Sequence, residues 1–304
     1  MTRVAAIDCG TNSIRLLIAE IAGGNFREIY RTMEIVRLGQ GVDKNKAFHP
    51  DALDRTLKAT ALFAEEISRR GVDRIRFCAT SATRDATNRD LFIDGVKSLL
   101  GVAPEVISGE EEAALSFKGA TKELRGVGAP YLVIDIGGGS TEFVFGSERV
   151  EFAKSQNIGC VRMSERHFSS IPPQAEEIAG AKADIDEAIK GAAEIVPITE
   201  AKTLIAVAGT ATTVAAAALG LSTYDRHSIH LSRISAEKTH QVSEMFLSLN
   251  RDEIAALGYM HPGRVDVIGA GSLVLSRIMT LTGAEEFVAS ESDILDGMAW
   301  SLAD

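Results

Sequence analysis

The sequence predicts an α/β protein made of two similar domains, and two internal matches predict it. The first sets 4–19 against 131–146, offset by 127 positions. Asp8 aligns with Asp135, Gly10 with Gly137 and Ser13 with Ser140, each in a buried strand, an Asp-x-Gly turn and a second strand. The second sets 75–84 against 203–213 at an offset of 129: an apolar strand running into a Thr/Ser-rich turn and then a helix. Two matches at nearly equal offsets point to a duplicated unit, with domains at 1–127 and 128–304. The Gly/Pro cluster at 126–130 marks the boundary. The last helix is free to pack back on the first domain.

Taken in order, the elements fit that plan. Val4, Ala5, Ala6 and Ile7 form a continuous apolar run, as in a strand covered on both faces. A helix is expected over 50–70, with Leu53, Leu57, Ala61, Leu62 and Ile67 at helical spacing. Ser108 opens the next as an N-cap, with Glu111 at the third helical position closing a capping box. Further helices are expected at 174–195, 236–249 and 271–282.

Composition narrows the function. The chain has 304 residues, 45% hydrophobic and 24% charged, which fits a globular protein with a real core. No apolar run approaches the ~20 residues that span a bilayer, so no membrane is expected. Residues 1–127 carry net +1 and residues 128–304 net −11. No basic block is present, which argues against nucleic acid as a partner. Three scattered cysteines, Cys9, Cys78 and Cys160, form no CxxC pair and suit a reducing cytoplasm. His227 and His230 lack a third ligand at zinc-site spacing.

The turns are suited to phosphate. Gly137, Gly138 and Gly139 let backbone N–H groups approach an anion, and Ser140 and Thr141 add hydroxyls. Asn12 and Ser13 hold the corresponding places in the first turn, and Gly209-Thr210 and Thr80-Ser81 offer two more donor loops. Asp135, at the carboxyl end of its strand, sits where α/β folds place ligands. A carboxylate beside a phosphate cradle points to Mg²⁺ or Mn²⁺ as the intermediary. Arg84 is the arginine expected over phosphate charge, ahead of Arg15, Arg37, Arg162 and Arg264. In the triplet 110–112, Glu110 suits the helix dipole and Glu111 the capping box. Glu112 is either a third acidic residue in a first turn or a group that positions a water.

With these motifs on hand, the chain resembles the exopolyphosphatase / guanosine pentaphosphatase (Ppx/GppA) family in its short two-domain form. The resemblance rests on Asp8 to Ser13, Thr83-Arg84, Ser108 to Ala113, Asp135 to Glu142, Gly159 to Arg162, Gly209 to Thr212 and Gly297. It implies two ribonuclease-H-like domains of the actin–sugar kinase–Hsp70 superfamily around an interdomain cleft. It implies Glu112 as catalytic base, Glu142 assisting the water or the metal, and Arg84 on the phosphoryl group. Metal is expected on Asp8, Asp135 or Glu142. Cys9 and Thr11 depart from the aliphatic residue and Ser that many members carry there.

The expected function is Mg²⁺-dependent removal of terminal phosphate from inorganic polyphosphate by a cytoplasmic homodimer. Longer members carry a further helical domain that this sequence does not include, so short chains are the expected substrates. Guanosine pentaphosphate (pppGpp) is the rival substrate. An actin-like nucleotide-binding scaffold and a carbohydrate kinase are the rivals of other classes.

Overall fold

Eleven strands, β1 to β11, form two mixed sheets in a computed structural model that describes residues 2–122, 124 and 128–302. Unit one comprises Met1–Gly119 with Ile294–Asp304, and unit two Ala120–Asp293. Of the boundary expected at 127/128, Val127 and its neighbour Gly126 lie outside the described residues. The contacts divide the chain earlier, after Gly119, and return the last helix, Ile294–Ser301, to unit one.

Unit one is built on β1 (Thr2–Cys9), β2 (Ser13–Ala22), β3 (Asn25–Ile35), β4 (Arg74–Ala79) and β5 (Glu105–Val106), in the order β3-β2-β1-β4-β5. β1/β2 and β2/β3 pair antiparallel, while β4 and β5 run parallel to β1. β1 is buried on both faces, which its unbroken apolar run requires. Ala5, Ile7 and Cys9 join a cluster with Phe63, Phe77 and Phe92, beneath the Pro50–Arg69 and Arg89–Leu100 helices. The alternate residues Val4 and Ala6 join Ile294, Leu295, Met298 and Ala299 of the last helix. Burying each of these large side chains contributes about 1.5–3 kcal/mol.

Unit two repeats the plan with β6 (Tyr131–Ile136), β7 (Thr141–Gly146), β8 (Val150–Gln156), β9 (Thr203–Val207), β10 (Arg233–Ser235) and β11 (Glu286–Ala289). Written from the opposite edge its order is β8-β7-β6-β9-β11-β10. The first five places match unit one in both order and direction, and β10 adds an antiparallel edge. This is the ribonuclease-H-like arrangement, present twice. The two hairpin turns also close alike: Gly10 N–H donates to Ser13 O and Gly137 N–H to Ser140 O, both at 3.0 Å.

Local details depart from the sequence expectations. The Pro50–Arg69 helix buries Ala52, Thr56, Ala59, Thr60, Phe63 and Ile67, whereas Leu62 is 56% exposed. Of the predicted stripe, Ile67 is in the core and Leu53 and Leu57 pack against it, while Leu62 faces out. Ala52, Thr56, Ala59, Thr60 and Phe63 fill the rest of the inner face. The helix expected from residue 271 begins at Ile268. The capping box at Ser108 is half formed: Glu111 N–H donates to Ser108 Oγ at 3.2 Å, while the Glu111 carboxylate turns to Arg76.

Candidate active site

In unit one the candidate residues lie along the carboxyl ends of β1, β4 and β5. Thr80 N–H donates to Cys9 O at 3.2 Å and Ile107 N–H to Ala79 O at 3.1 Å, tying the three strand ends side by side. The chain leaves β4 through a short helix, Ser81–Asp85, which carries Arg84. It leaves β5 through Ser108 into the Gly109–Thr121 helix, which carries Glu112. There the two meet. Arg84 Nη1 donates to Glu112 Oε2 at 2.8 Å and to Ile107 O at 2.9 Å. Glu112 is buried, at 7% exposure, so its helix position is an inward one. A charge-assisted pair of this kind fixes the carboxylate's direction.

Asp8, Asn12 and Ser13 occupy the first turn. Asp8 faces Arg15 across the β1/β2 register, and Arg15 Nη2 lies 2.7 Å from Asp8 Oδ2. Arg15 therefore serves Asp8. The turn is braced from behind, where Val36 and Arg37 N–H donate to Asn12 O and Gly39 N–H donates to Thr11 O. Gly39 is required there, since a Cβ would stand 2.2 Å from Thr11 Cγ2. Arg37 takes a positive φ of 52° to make this contact. The hydroxyls of Thr11 and Thr83 are buried without a hydrogen-bond partner among the described residues, polar groups that a ligand would satisfy.

In unit two the glycine turn is held the same way. The Cys160–His167 helix turns its N-terminal amides on the turn: Cys160 N–H donates to Gly137 O, and Val161 and Arg162 N–H to Gly138 O. Arg162 Nε donates to Gly139 O at 2.7 Å, so this arginine braces the turn. Gly159 lies against it, and a Cβ there would stand 2.3 Å from Gly138 C. Gly137 is needed for closeness, its Cβ position lying 3.2 Å from Ser140 O, and its φ is not left-handed. Among the described residues, the N–H groups of Gly138, Gly139 and Ser140 have no acceptor. Three adjacent amides with bound carbonyls behind them make an anion cradle.

Gly209 and Thr210 come to the same place. They open the Ala208–Ala218 helix, entered through Ala208 at a positive φ of 66°. A Cβ on Gly209 would stand 2.5 Å from Arg264 Nη2, and one on Gly271 would stand 2.7 Å from Thr210 Oγ1 and 3.0 Å from Cys160 Cβ. Arg264 Nη1 donates to Thr213 Oγ1 at 3.0 Å. Burial pushes the Cys160 thiol up, with Thr210 and Arg264 drawing it partly back. Burial, reinforced by the charge of Asp8, likewise raises Cys9. Neither is a thiolate nucleophile near neutral pH.

Asp135 and Glu142 stand opposite each other across β6/β7 and are both buried. Ser155 Oγ donates to Glu142 Oε1 at 2.7 Å. Two carboxylates directly opposite on one sheet face favour a cation between them. Their hard oxygens suit Mg²⁺ or Mn²⁺, which commonly take one or two carboxylates and complete their shell with water and phosphate oxygens. Among the described residues, no three or more His, Cys, Asp or Glu are grouped to hold a metal by themselves. Sequence reasoning missed the structural roles of Gly39, Gly159 and Ala208, each of which requires knowing what lies against the backbone. No helix among the described residues is long and apolar enough to cross a membrane.

Comparison with known proteins places the chain among related proteins. Exopolyphosphatase 2 of Mycobacterium tuberculosis is 45% identical over 316 aligned residues, covering 100% of this chain and 99% of that one. The crystal structure of an exopolyphosphatase-like protein, 44% identical, superposes with a TM-score of 0.96 over 99% of both chains. A guanosine-5'-triphosphate,3'-diphosphate pyrophosphatase of Vibrio atlanticus is 38% identical over 165 residues, covering 54% of this chain and 33% of its own length. The model of the Ppx/GppA phosphatase family matches residues 17–304, and the chain belongs to that family.

Proposed function

We propose that the protein is an exopolyphosphatase, a phosphoanhydride hydrolase that removes terminal orthophosphate from inorganic polyphosphate. The observation that carries this reading is the buried Glu112 carboxylate held by Arg84. A phosphate-binding scaffold has no need of that carboxylate, and a hydrolase does. The whole-length likeness to a protein named for this activity supports it.

In unit one, Glu112 directs water at the terminal phosphorus and takes its proton as the new P–O bond forms. Arg84 holds Glu112 in line and offers its remaining N–H groups to the phosphoryl oxygens. The bridging P–O bond breaks, and the shortened polymer leaves on that oxygen. In unit two, the amides of Gly138, Gly139 and Ser140, with Gly209-Thr210, bind phosphate oxygens and orient the chain. The Thr141 hydroxyl, expected from the sequence as a phosphate donor, is instead buried and donates to Ile158 O at 2.9 Å. Asp135 and Glu142 would hold Mg²⁺ or Mn²⁺, which neutralises phosphate charge when bound. Asp8 is the weaker metal candidate, because Arg15 already balances it.

Short chains are the favoured substrates, since residues 128–304 carry net −11 and repel a long polyanion. The working form is a cytoplasmic homodimer, a compartment in keeping with three sparse, buried cysteines. pppGpp is the second reading, supported by the Vibrio relative. Phosphate release from polyphosphates of several lengths, pppGpp and ATP, with Mg²⁺ and with EDTA, tests the proposal. Release without any acceptor sugar separates hydrolase from kinase. No release from polyphosphate or pppGpp would leave a scaffold as the better reading, and light scattering reads the assembly.

A further inference from the structure

Glu111 and Glu112 are neighbours on one helix, and each is held by an arginine of the β4 segment. Arg84, just past β4, takes Glu112. Arg76, within β4, takes Glu111: its Nη2 lies 2.6 Å from Glu111 Oε1. The Arg76 guanidinium is itself fixed on its other edges. Nε and Nη2 donate to Glu105 Oε2 at 3.0 and 2.8 Å, and Nη1 donates to Ser301 Oγ at 2.9 Å. Ser301 Oγ in turn donates to Met298 O at 2.6 Å, and Arg74 Nη1 donates to Leu302 O at 3.0 Å. One arginine thus joins β5, the N-terminus of the Gly109–Thr121 helix and the end of the last helix.

The two helices also touch directly. A Cβ on Gly297 would stand 2.0 Å from Leu115 O, and Leu115 packs with Ile294, Leu295 and Met298. Successive helical residues point roughly 100° apart, so two ties at adjacent positions stop the helix turning about its axis. At the roughly 5–6 Å radius of a side chain, a rotation of about 10° moves a carboxylate by about 1 Å. A misplacement of that size can cost up to about a hundredfold in rate.

We propose that Arg76 is a positioning residue for the hydrolysis: through Glu111 it fixes the rotation of the helix that carries Glu112. This rests on Glu112 being the base. Arg76 touches no reacting atom. Its side chain is mostly buried, whereas Glu111 is half-exposed, so breaking the tie from the Glu111 side should cost little stability and show in turnover more than in folding.

The test measures kcat and KM on short polyphosphate for Arg76→Met, Arg76→Lys, Glu111→Gln, Glu112→Gln and the double variant Arg76→Met/Glu112→Gln. Arg76→Met and Glu111→Gln should each lower kcat about tenfold with KM within about twofold, and Arg76→Lys should recover much of the loss. Within the Glu112→Gln background, Arg76→Met should lower the residual rate no further, whereas a purely structural loss would lower it by the same factor again. Lys58→Met, which removes an exposed ion pair to Asp54, controls for loss of a surface charge pair. Glu111→Gln keeps the Arg76 links to Glu105 and Ser301, so it tests the idea even where Arg76→Met fails to fold. Wild-type kcat in Glu111→Gln, with Glu112→Gln inactive, overturns the positioning role alone. Wild-type kcat in Glu112→Gln overturns the assignment of the base and the positioning role with it.

Discussion

Glu142 stands in unit two at the register position that Arg15 holds in unit one. Each faces the turn aspartate of its own hairpin, so the duplicated frame pairs Asp8 with a cation and Asp135 with a second carboxylate. Arg15 neutralises the first turn, and the proposed metal site is the second. Glu142→Gln should raise the Mg²⁺ concentration for half-maximal activity at least about tenfold. Arg15→Met should leave that requirement unchanged and lower stability by about 2–3 kcal/mol, the loss expected for a mostly buried pair broken on one side. A metal titration beside urea unfolding reads both; an unchanged Mg²⁺ requirement in Glu142→Gln would exclude it as a ligand.

Glu112→Gln keeps the shape of the side chain and removes its basicity. It should lower kcat at least about a hundredfold with KM changed by no more than about threefold. Arg84→Met should cost less alone, and the double variant should lose less than the product of the two, because the side chains are in direct contact. Steady-state kinetics on the three proteins checks this, and near-normal turnover in Glu112→Gln would make Glu142 the principal base.

Gly159→Ala tests the cradle from behind, with no change to the residues that touch phosphate. The new methyl would collide with Gly138 and Gly139 backbone atoms, so the turn must shift. Stability should fall by about 1–3 kcal/mol, and KM for polyphosphate should rise about tenfold. A folded Gly159→Ala protein with wild-type KM would show that this turn does not bind substrate.

Alkaline pH should destabilise the protein through its buried thiols. Cys9 and Cys160 both have raised pKa values from burial. A thiol raised in the folded state contributes fully below its unfolded pKa, near 9, and that contribution is lost as pH rises through the folded value. The Tm should be level from about pH 7 to 8.5 and fall above about pH 9, with a shallower fall in Cys9→Ala. A thermal-shift series across that range provides the check, and equal slopes in the two proteins would refute the attribution.

Much of the fold was legible because duplication writes the same strand-turn-strand pattern twice, and glycines with an aspartate mark the turns. Glu112 was legible only as an ambiguity, since its meaning depends on Arg84, 28 positions away in sequence. The roles of Arg15 and Arg162 were hidden for a related reason. An arginine near a phosphate loop reads as an anion contact, whereas Arg15 answers a carboxylate across a hairpin and Arg162 a backbone carbonyl. On the Pro50–Arg69 helix Leu62 was misplaced; beside Leu53, Leu57 and Ile67, close packing set small residues such as Ala52, Thr56 and Ala59 on the inner face.

The return of the last helix to unit one sets an order of events on the ribosome. Val4, Ala6 and Leu17 are made well before part of their cover, Ile294 to Ala299. All of Ala120–Asp293 is translated in between. At about 5–20 residues per second that interval is roughly 9–35 s. Unit two is one continuous stretch and can close on itself while this face of unit one still waits. A nascent chain stalled before Ile294 should therefore be protease-resistant in unit two and sensitive in unit one, with the helix that carries Glu112 lacking its support until the Ile294–Ser301 helix is made.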